Sequence, residues 1–244
     1  PASAPTPMPF VVLLLVALAA GLLAAFAASL GPARSAALAL ATGSCVVLAL
    51  LTALVSTTSI GFDRTVASWA HRRSSSWSTH ALDAVTHLGS ITVVVALALV
   101  LAAYGTVRLR TPWVAAFLVA AVGGEELLTT VLKDLVDRRR PAFVPAAATL
   151  GPAFPSGHSA HAAVFYASAA LVLACGRARA VAPPLAGAAA GVAAGVAASR
   201  VFLDLHWMTD VIGGLALGWG WFAVCGLALG GRMLRPGARP YELR

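Results

Sequence analysis

Seven apolar blocks, each long enough to cross a bilayer, constrain this 244-residue chain more than any other feature. They run roughly over residues 8–30, 36–56, 89–105, 112–132, 158–175, 181–199 and 208–230. Composition agrees: 59% of residues are hydrophobic and 11% charged, where a soluble domain carries about a quarter charged. The expected fold is therefore all-α, a polytopic transmembrane helical bundle. Cys45, Cys175 and Cys225 sit inside apolar runs, too few and too scattered for a disulfide framework or a zinc site.

The first block has no Lys or Arg ahead of it and is long for a signal-peptide core, so it reads as a retained helix. The expected organisation is an amino-terminal tail with an additional span over 1–35, a six-span core over 36–231, and a basic cytoplasmic tail over 232–244. Inside the core, the polar stretch 57–88 shows Phe62, Val66 and Trp69, then Leu82, Val85 and Leu88, at helical spacing around Ser74-Ser75-Ser76. Short helices lying in the membrane interface, anchored by Trp69 and Trp77, fit that pattern. In the sixth block Gly187, Gly191 and Gly195 recur at four-residue steps, which predicts a helix packed closely inside the bundle. Gly214 and Gly218 repeat the spacing in the seventh.

Loop charges set the orientation. The net charge is +8, and all the basic residues except Lys133 are Arg. One side receives Arg34, Arg108, Arg110, Arg177, Arg179 and the tail arginines. The other receives Arg64, Arg72, Arg73, Lys133, Arg138, Arg139, Arg140 and Arg200, with all six histidines and six of the nine acids. The second side looks like a reaction face, so the first is placed in the cytoplasm and the polar face outside. No soluble Lys/Arg stripe with interleaved aromatics exists, which excludes a nucleic-acid partner.

Three polar clusters lie at the outer ends of spans. Lys133 to Arg140-Pro141 closes the fourth, Pro155-Ser156-Gly157-His158 opens the fifth, and Ser199-Arg200 ends the sixth, followed by His206 and Asp210 entering the seventh. Singly, each has a bland explanation: a snorkelling lysine, a basic patch, an ordinary helix start, a structural histidine. Together they make phosphate chemistry. Lys133, Arg140 and Arg200 supply cationic donors, and Arg matches phosphate oxygens with a planar fork. Ser156 and Gly157 stand where a helix begins and its free N–H groups meet an anion. His206 and Asp210, four apart, are expected to share one helical face, so that the carboxylate fixes the ring's tautomer and leaves its other nitrogen free to attack.

These residues carry a resemblance. KDLVDRRRP from Lys133, PSGH from Pro155 and SRVFLDLHWMTD from Ser199 are similar, in order and without substitution, to the three motifs of the type 2 phosphatidic acid phosphatase superfamily of membrane lipid phosphatases. The similarity spans roughly Ala36 to Gly230, with the block at 8–30 as an addition that would put the amino terminus outside. The resemblance implies a six-helix phosphatase core in which His206 is the nucleophile, forming a phosphohistidine. It makes Asp210 the group that orients His206, and His158 the general acid. Lys133, Arg140, Ser156, Gly157 and Arg200 would hold the phosphate oxygens. No metal or other cofactor is implied, because the Arg/Lys clamp supplies the electrostatic stabilisation, and activity is expected to survive EDTA.

Other polar residues compete for roles. Glu126 shares a face with Lys133 seven residues on; together with Glu125 it predicts either an interhelical hydrogen bond or buried ion pair, or a group that tunes Lys133 or lines the substrate path. His161 lies one turn beyond His158 and could reach the site. Asp204 and Arg138 could order the clamp, and His71, His80 and His87 suit a structural or lid role. The expected activity is hydrolysis of a lipid phosphate or diphosphate at the outer face of the plasma membrane. The substrate is either a polyprenyl diphosphate or monophosphate, or phosphatidic acid or phosphatidylglycerol phosphate; recycling of an envelope lipid carrier tilts the reading to the isoprenoid. The motifs read the phosphate and leave the tail and the oligomeric state open. The alternative is a non-catalytic lipid-phosphate transporter or binding scaffold, which would need the clamp but neither His158 nor the His206–Asp210 pair. Vanadate-dependent halide oxidation uses a similar constellation, but in largely soluble proteins.

Overall fold

Hydrocarbon offers a backbone no hydrogen-bond partner, so a chain with these apolar blocks must satisfy itself locally, as helix. The computed structural model describes residues 32–57, 61–74, 76–143 and 149–234, and its long elements are all helical. They are α1 (Pro32–Thr57), α2 (Gly61–Arg73), α3 (Ser76–His87), α4 (Ile91–Leu109), α5 (Trp113–Val136), α6 (Gly157–Ala174), α7 (Ala182–Phe202) and α8 (Met208–Leu234). Among the described residues six helices are long and apolar enough to cross a membrane: α1 and α4 to α8. The expected span at 8–30 and most of the basic tail lie outside the described residues.

Helix ends follow local chemistry. Ser90 caps α4, its side chain accepting from the Val93 N–H at 3.4 Å. Asp137 stops α5 in the left-handed region (φ 43°) and returns its N–H to the Lys133 carbonyl. Pro183 and Pro184 fall in the first turn of α7, where no N–H partner is lost. Two ends run beyond the apolar blocks. The fifth helix continues to Val136 and so carries Lys133 in its last turn; α7 continues to Phe202 and so carries Arg200 in its last turn.

Helix α6 touches α4, α5, α7 and α8, and α8 also touches α1, α5 and α7, so these two form the centre. Val94, Leu101, Phe117, Leu118, Val164 and Val172 make the main core between α4, α5 and α6. Outward side chains are also apolar: Leu99, Val107, Val119 and Leu135 stand 66–79% exposed, the face that lipid covers. The four-residue glycine repeats divide unexpectedly. Gly187 and Gly191 have open space around them and α7 is mostly peripheral, contrary to the expectation that it lies inside. The close approach is made by α8. A Cβ on Gly218 would lie 2.6 Å from the Ala163 Cβ and run into the Ala160 carbonyl, and one on Gly214 would strike the Ser156 carbonyl. The packing face of α7 is instead Ala189, Ala193, Val196 and Ala197.

Helices α2 and α3 are the two short helices that the polar stretch predicts. They lie against α7 and α8 at the end of the bundle where α5 and α7 finish and α6 and α8 begin. The buried face of α2 is not the large apolar one. Phe62 is 57% exposed, and Trp69 is 43% exposed where its ring meets Phe202 at 5.5 Å, whereas Asp63, Ala67 and Ala70 are buried. The side chain of Trp77 lies outside the described residues.

Glycine substitution separates the two repeats. Gly218→Val should lower the unfolding midpoint in detergent by an amount equivalent to roughly 1–3 kcal/mol or more. Gly191→Ala should leave it within about 0.5 kcal/mol of wild type. Equal sensitivity at both positions would contradict the packing described.

Candidate active site

The turn between α7 and α8 places His206. Carbonyls of the last turn of α7 catch the chain as it leaves: Ser199 accepts the Leu203 N–H at 2.9 Å, and Arg200 accepts those of Leu205 and His206 at 3.1 and 3.2 Å. Asp204 takes a left-handed conformation (φ 58°), which Asp tolerates better than most residues, and its carboxylate meets His71 Nδ1 at 2.6 Å. His206 therefore precedes α8 and does not share a helical turn with Asp210 as the spacing predicts. Asp210 lies in the first turn of α8 and reaches back, its Oδ2 accepting the Trp207 N–H at 2.8 Å. The two side chains still meet: Oδ2 stands 3.5 Å from His206 Nδ1, a nitrogen with no hydrogen-bond partner of its own.

The other ring nitrogen settles the tautomer. His206 Nε2 lies 2.9 Å from Arg140 Nη1, and a guanidinium can only donate, so Nε2 is the acceptor and the proton sits on Nδ1, towards Asp210. The ring is fully buried. Burial pushes this imidazole down to about 4, with Arg140 and Arg200 adding to the effect and Asp210 opposing it.

Arg138 is the hub beneath this pair. Its Nη1 donates to the Asp210 Oδ1 carboxylate oxygen and, at 2.7 Å, to Thr209 Oγ1; its Nη2 donates to Asp63 Oδ2 at 2.7 Å. Asp63, from the interfacial helix α2, is 1% exposed and also accepts the Thr209 N–H at 3.0 Å and the Thr209 hydroxyl at 2.6 Å. Sequence reasoning missed Asp63. The available signal was an acid on the same helical face as the small residues Ala67 and Ala70.

The cationic residues lie within electrostatic range of one another. Arg140 is braced by the loop 150–152, its Nε donating to the Gly151 carbonyl at 2.8 Å and its Nη2 to those of Leu150 and Pro152 at 3.3 Å. Arg200 is buried, donates from Nη1 to Thr86 Oγ1 at 3.0 Å, and has a buried Nε with no partner. Thr86, at the end of α3, is a second residue that sequence reasoning missed. Lys133, Arg140 and Arg200 lie near enough to repel one another, and among the described residues none has a carboxylate within 4 Å. Asp210, Asp83 and Glu126 act on them only from farther off, so a cluster of cations with no direct ion pair is left to face an anion or water.

The PSGH segment lines the same place. Ser156 caps α6, and its N–H donates to the Asp210 carbonyl at 3.0 Å, which ties the second motif to the third. Its hydroxyl accepts from Ser159 Oγ at 3.0 Å. A Cβ at Gly157 would meet Thr129, Lys133 and His161 only at 3.6–3.8 Å, so protein packing alone does not demand glycine there. His158 is half-buried within electrostatic range of Lys133, Arg200 and His206. Ser199 bonds back to the Val196 carbonyl at 2.7 Å and does not join the clamp.

His161, though it borders Gly157 with Lys133, bonds to a different set of partners. Its Nε2 lies 2.5 Å from Glu126 Oε2 and 3.6 Å from Glu125 Oε2, and its Nδ1 lies 3.2 Å from the Gly89 carbonyl. Glu125 and Glu126 are thus interhelical partners of α6 rather than ion-pair partners of Lys133.

The profile of the PAP2 superfamily matches residues 113–233. The chain is similar to phosphatidylglycerophosphatase B of Bacillus subtilis (strain 168), 30% identical over 175 residues that cover 69% of this chain and 84% of that one. It is also similar to the lipid A 1-phosphatase of Rhizobium etli, 32% identical over 126 residues, 48% of this chain and 50% of that one. The crystal structure of the transmembrane PAP2-type phosphatidylglycerolphosphate phosphatase from Bacillus subtilis superposes with a TM-score of 0.72 at 26% identity, covering 81% of this chain and 98% of that one.

Removing one partner of a buried charge set leaves the others uncompensated. Asp63→Ala should therefore destabilise the protein by about 3–5 kcal/mol, read as a lowered unfolding midpoint, with Asp63→Asn intermediate. An unchanged midpoint in both variants would remove Asp63 from the site's support.

Proposed function

The chain belongs to the PAP2 superfamily and is a membrane lipid phosphatase; from that premise we propose that it hydrolyses a glycerolipid monophosphate of the phosphatidylglycerol phosphate type, at the outer membrane face, through a phosphohistidine on His206. The observation that carries the reading is a buried histidine whose acceptor nitrogen lies 2.9 Å from the Arg140 guanidinium, with Arg200 within electrostatic range of the ring and Lys133 within range of both arginines. Similarity to phosphatidylglycerophosphatase B favours the glycerolipid over the isoprenoid to which sequence reasoning tilted. Interfacial arginines Arg108, Arg110, Arg177 and Arg179 lie at the end away from the clamp, which supports an outward-facing site.

The sequence of events follows from the resting hydrogen bonds. Arg140 holds the Nε2 lone pair until substrate arrives. Phosphate oxygens then take the Arg140 and Arg200 donors, including the orphaned Arg200 Nε, and free Nε2 to attack phosphorus. The phosphorus–oxygen bond to the lipid breaks, its electron pair passes to the departing alkoxide, and His158 supplies the proton. Asp210 stabilises the positive ring that results. Water, deprotonated by His158, then attacks phosphorus and breaks the phosphorus–nitrogen bond, releasing phosphate and neutral His206. Gly157 leaves the space in front of the Lys133 ammonium open for one phosphate oxygen.

Phosphate release from phosphatidylglycerol phosphate in detergent tests this. His206→Ala should lose on the order of 10³-fold or more in rate; equal rates would sink the reading. His158→Ala should lose roughly 10²–10⁴-fold on the lipid and far less on a nitrophenyl phosphate, whose leaving group needs no proton. An equal loss on both would remove His158 as the acid. Gly157→Ala should keep its unfolding midpoint yet lose roughly 10²-fold in activity.

The acid limb of the pH profile follows from His206. Its attack needs the neutral ring, so loss of the nucleophile should set in only as pH drops through about 4. An acid limb near the ordinary histidine value of about 6.5 would contradict a buried nucleophile.

A further inference from the structure

Two carboxylates and one imidazole sit between α5 and α6, within electrostatic range of Lys133, and the phosphatase mechanism uses none of them. Glu125 is 0% exposed. Its Oε1 accepts the Thr129 hydroxyl at 2.5 Å, while its Oε2 is buried with no hydrogen-bond partner and points at His161 Nε2, 3.6 Å away. Glu126 Oε2 lies 2.5 Å from the same nitrogen. Among the described residues no Lys or Arg nitrogen comes within 4 Å of either carboxylate.

We propose that Glu125, Glu126 and His161 bind one divalent transition-metal ion of the zinc class, which fastens α5 to α6 beneath the phosphate clamp. A fully buried carboxylate with an unpartnered oxygen, beside a second carboxylate that shares its histidine, demands a compensating positive charge. A proton on His161 Nε2 lies along a single line, to Glu126, and leaves Glu125 Oε2 without a partner. A cation centred among the three serves all of them. Their ligand atoms already lie within 4.8 Å of one another, and small rotations of the half-exposed Glu126 bring the set to bonds of about 2.0–2.2 Å. His161 is arranged as metal-bound histidines are: Nδ1 donates to the Gly89 backbone carbonyl at 3.2 Å, which fixes the ring and leaves Nε2 as the ligand. One nitrogen and two carboxylate oxygens suit zinc-class ions better than calcium or magnesium, which prefer all-oxygen shells. The half-exposed side of Glu126 offers the ion a way in.

The ion does not touch the reacting phosphorus. It acts by position, because His161 follows His158 by one turn of α6 and Glu126 precedes Lys133 by two turns of α5, so the clasp fixes the spacing of an acid and a cation of the clamp.

Purified full-length protein in detergent, cleared of metal with EDTA and titrated with Co²⁺, tests the proposal. The expected result is saturable one-to-one binding with visible absorption, a rise in the unfolding midpoint on loading, and loss of both in Glu125→Gln, His161→Ala and the gentler, half-exposed Glu126→Gln. His206→Ala should lose phosphatase activity and keep the Co²⁺ signal, so the two assignments fail separately. Absence of one-to-one binding, with the site held by protons alone, overturns the proposal. So does undiminished binding in all three site variants.

Discussion

A single guanidinium holds the reactive end of this protein together. Arg138 is bound to Asp63 from an interfacial helix, to Asp210 from the first turn of α8, and to the hydroxyl of Thr209. Three stretches that are distant in sequence meet there, in a place where Asp63 and Asp210 are sealed from solvent. Such a set holds only when every member is present, because any carboxylate or guanidinium left alone would be a buried unpaired charge. That condition makes the arrangement all-or-none. It also explains why Asp210 can face His206 with one oxygen while being restrained through the other.

Backbone contacts extend the same logic to the clamp. The N–H of Ser156 bonds to the carbonyl of Asp210, that of His206 to the carbonyl of Arg200, and that of Ala153 to the carbonyl of Arg138. The second motif is thereby pinned to the third, the third is folded on itself, and the segment leading into the second is tied to the first, all through peptide groups, which have far less freedom than side chains. Close packing of α6 on the glycines of α8 makes this possible, since any side chain at Gly214 would push the start of α6 away from Asp210. Loop carbonyls and Thr86 brace the arginines from outside, so cations that repel one another stay converged without neutralising partners. Ground-state repulsion of this kind favours an incoming anion, and most of all one whose charge is redistributing.

Much of this was legible in the chain. Spans show because a bilayer demands long apolar runs, and a clamp is suggested because Lys133, Arg140 and Arg200 stand in three ordered motifs beside Ser156-Gly157, His158 and the His206–Asp210 pair. What escaped depended on tertiary choice. His206 and Asp210 do share a neighbourhood, but Trp207 carries no capping signature, so nothing local marked α8 as starting after His206. The glycines of α7 and α8 look alike in sequence, and only the identity of the neighbouring helix decides which pair is used. Asp63 escaped because large apolar residues draw attention to the wrong face of α2, whose buried side is made of alanines and one acid.

The claim on which the account rests is that His206 becomes covalently bonded to phosphorus. Rapid mixing of the enzyme with phosphate-labelled phosphatidylglycerol phosphate, followed by alkaline quenching and peptide mapping, measures that most directly. The account predicts an acid-labile label on the peptide containing His206, formed before phosphate appears in solution and absent from His206→Ala. Turnover of wild type with no label on that peptide, under conditions that preserve phosphohistidine, would contradict it.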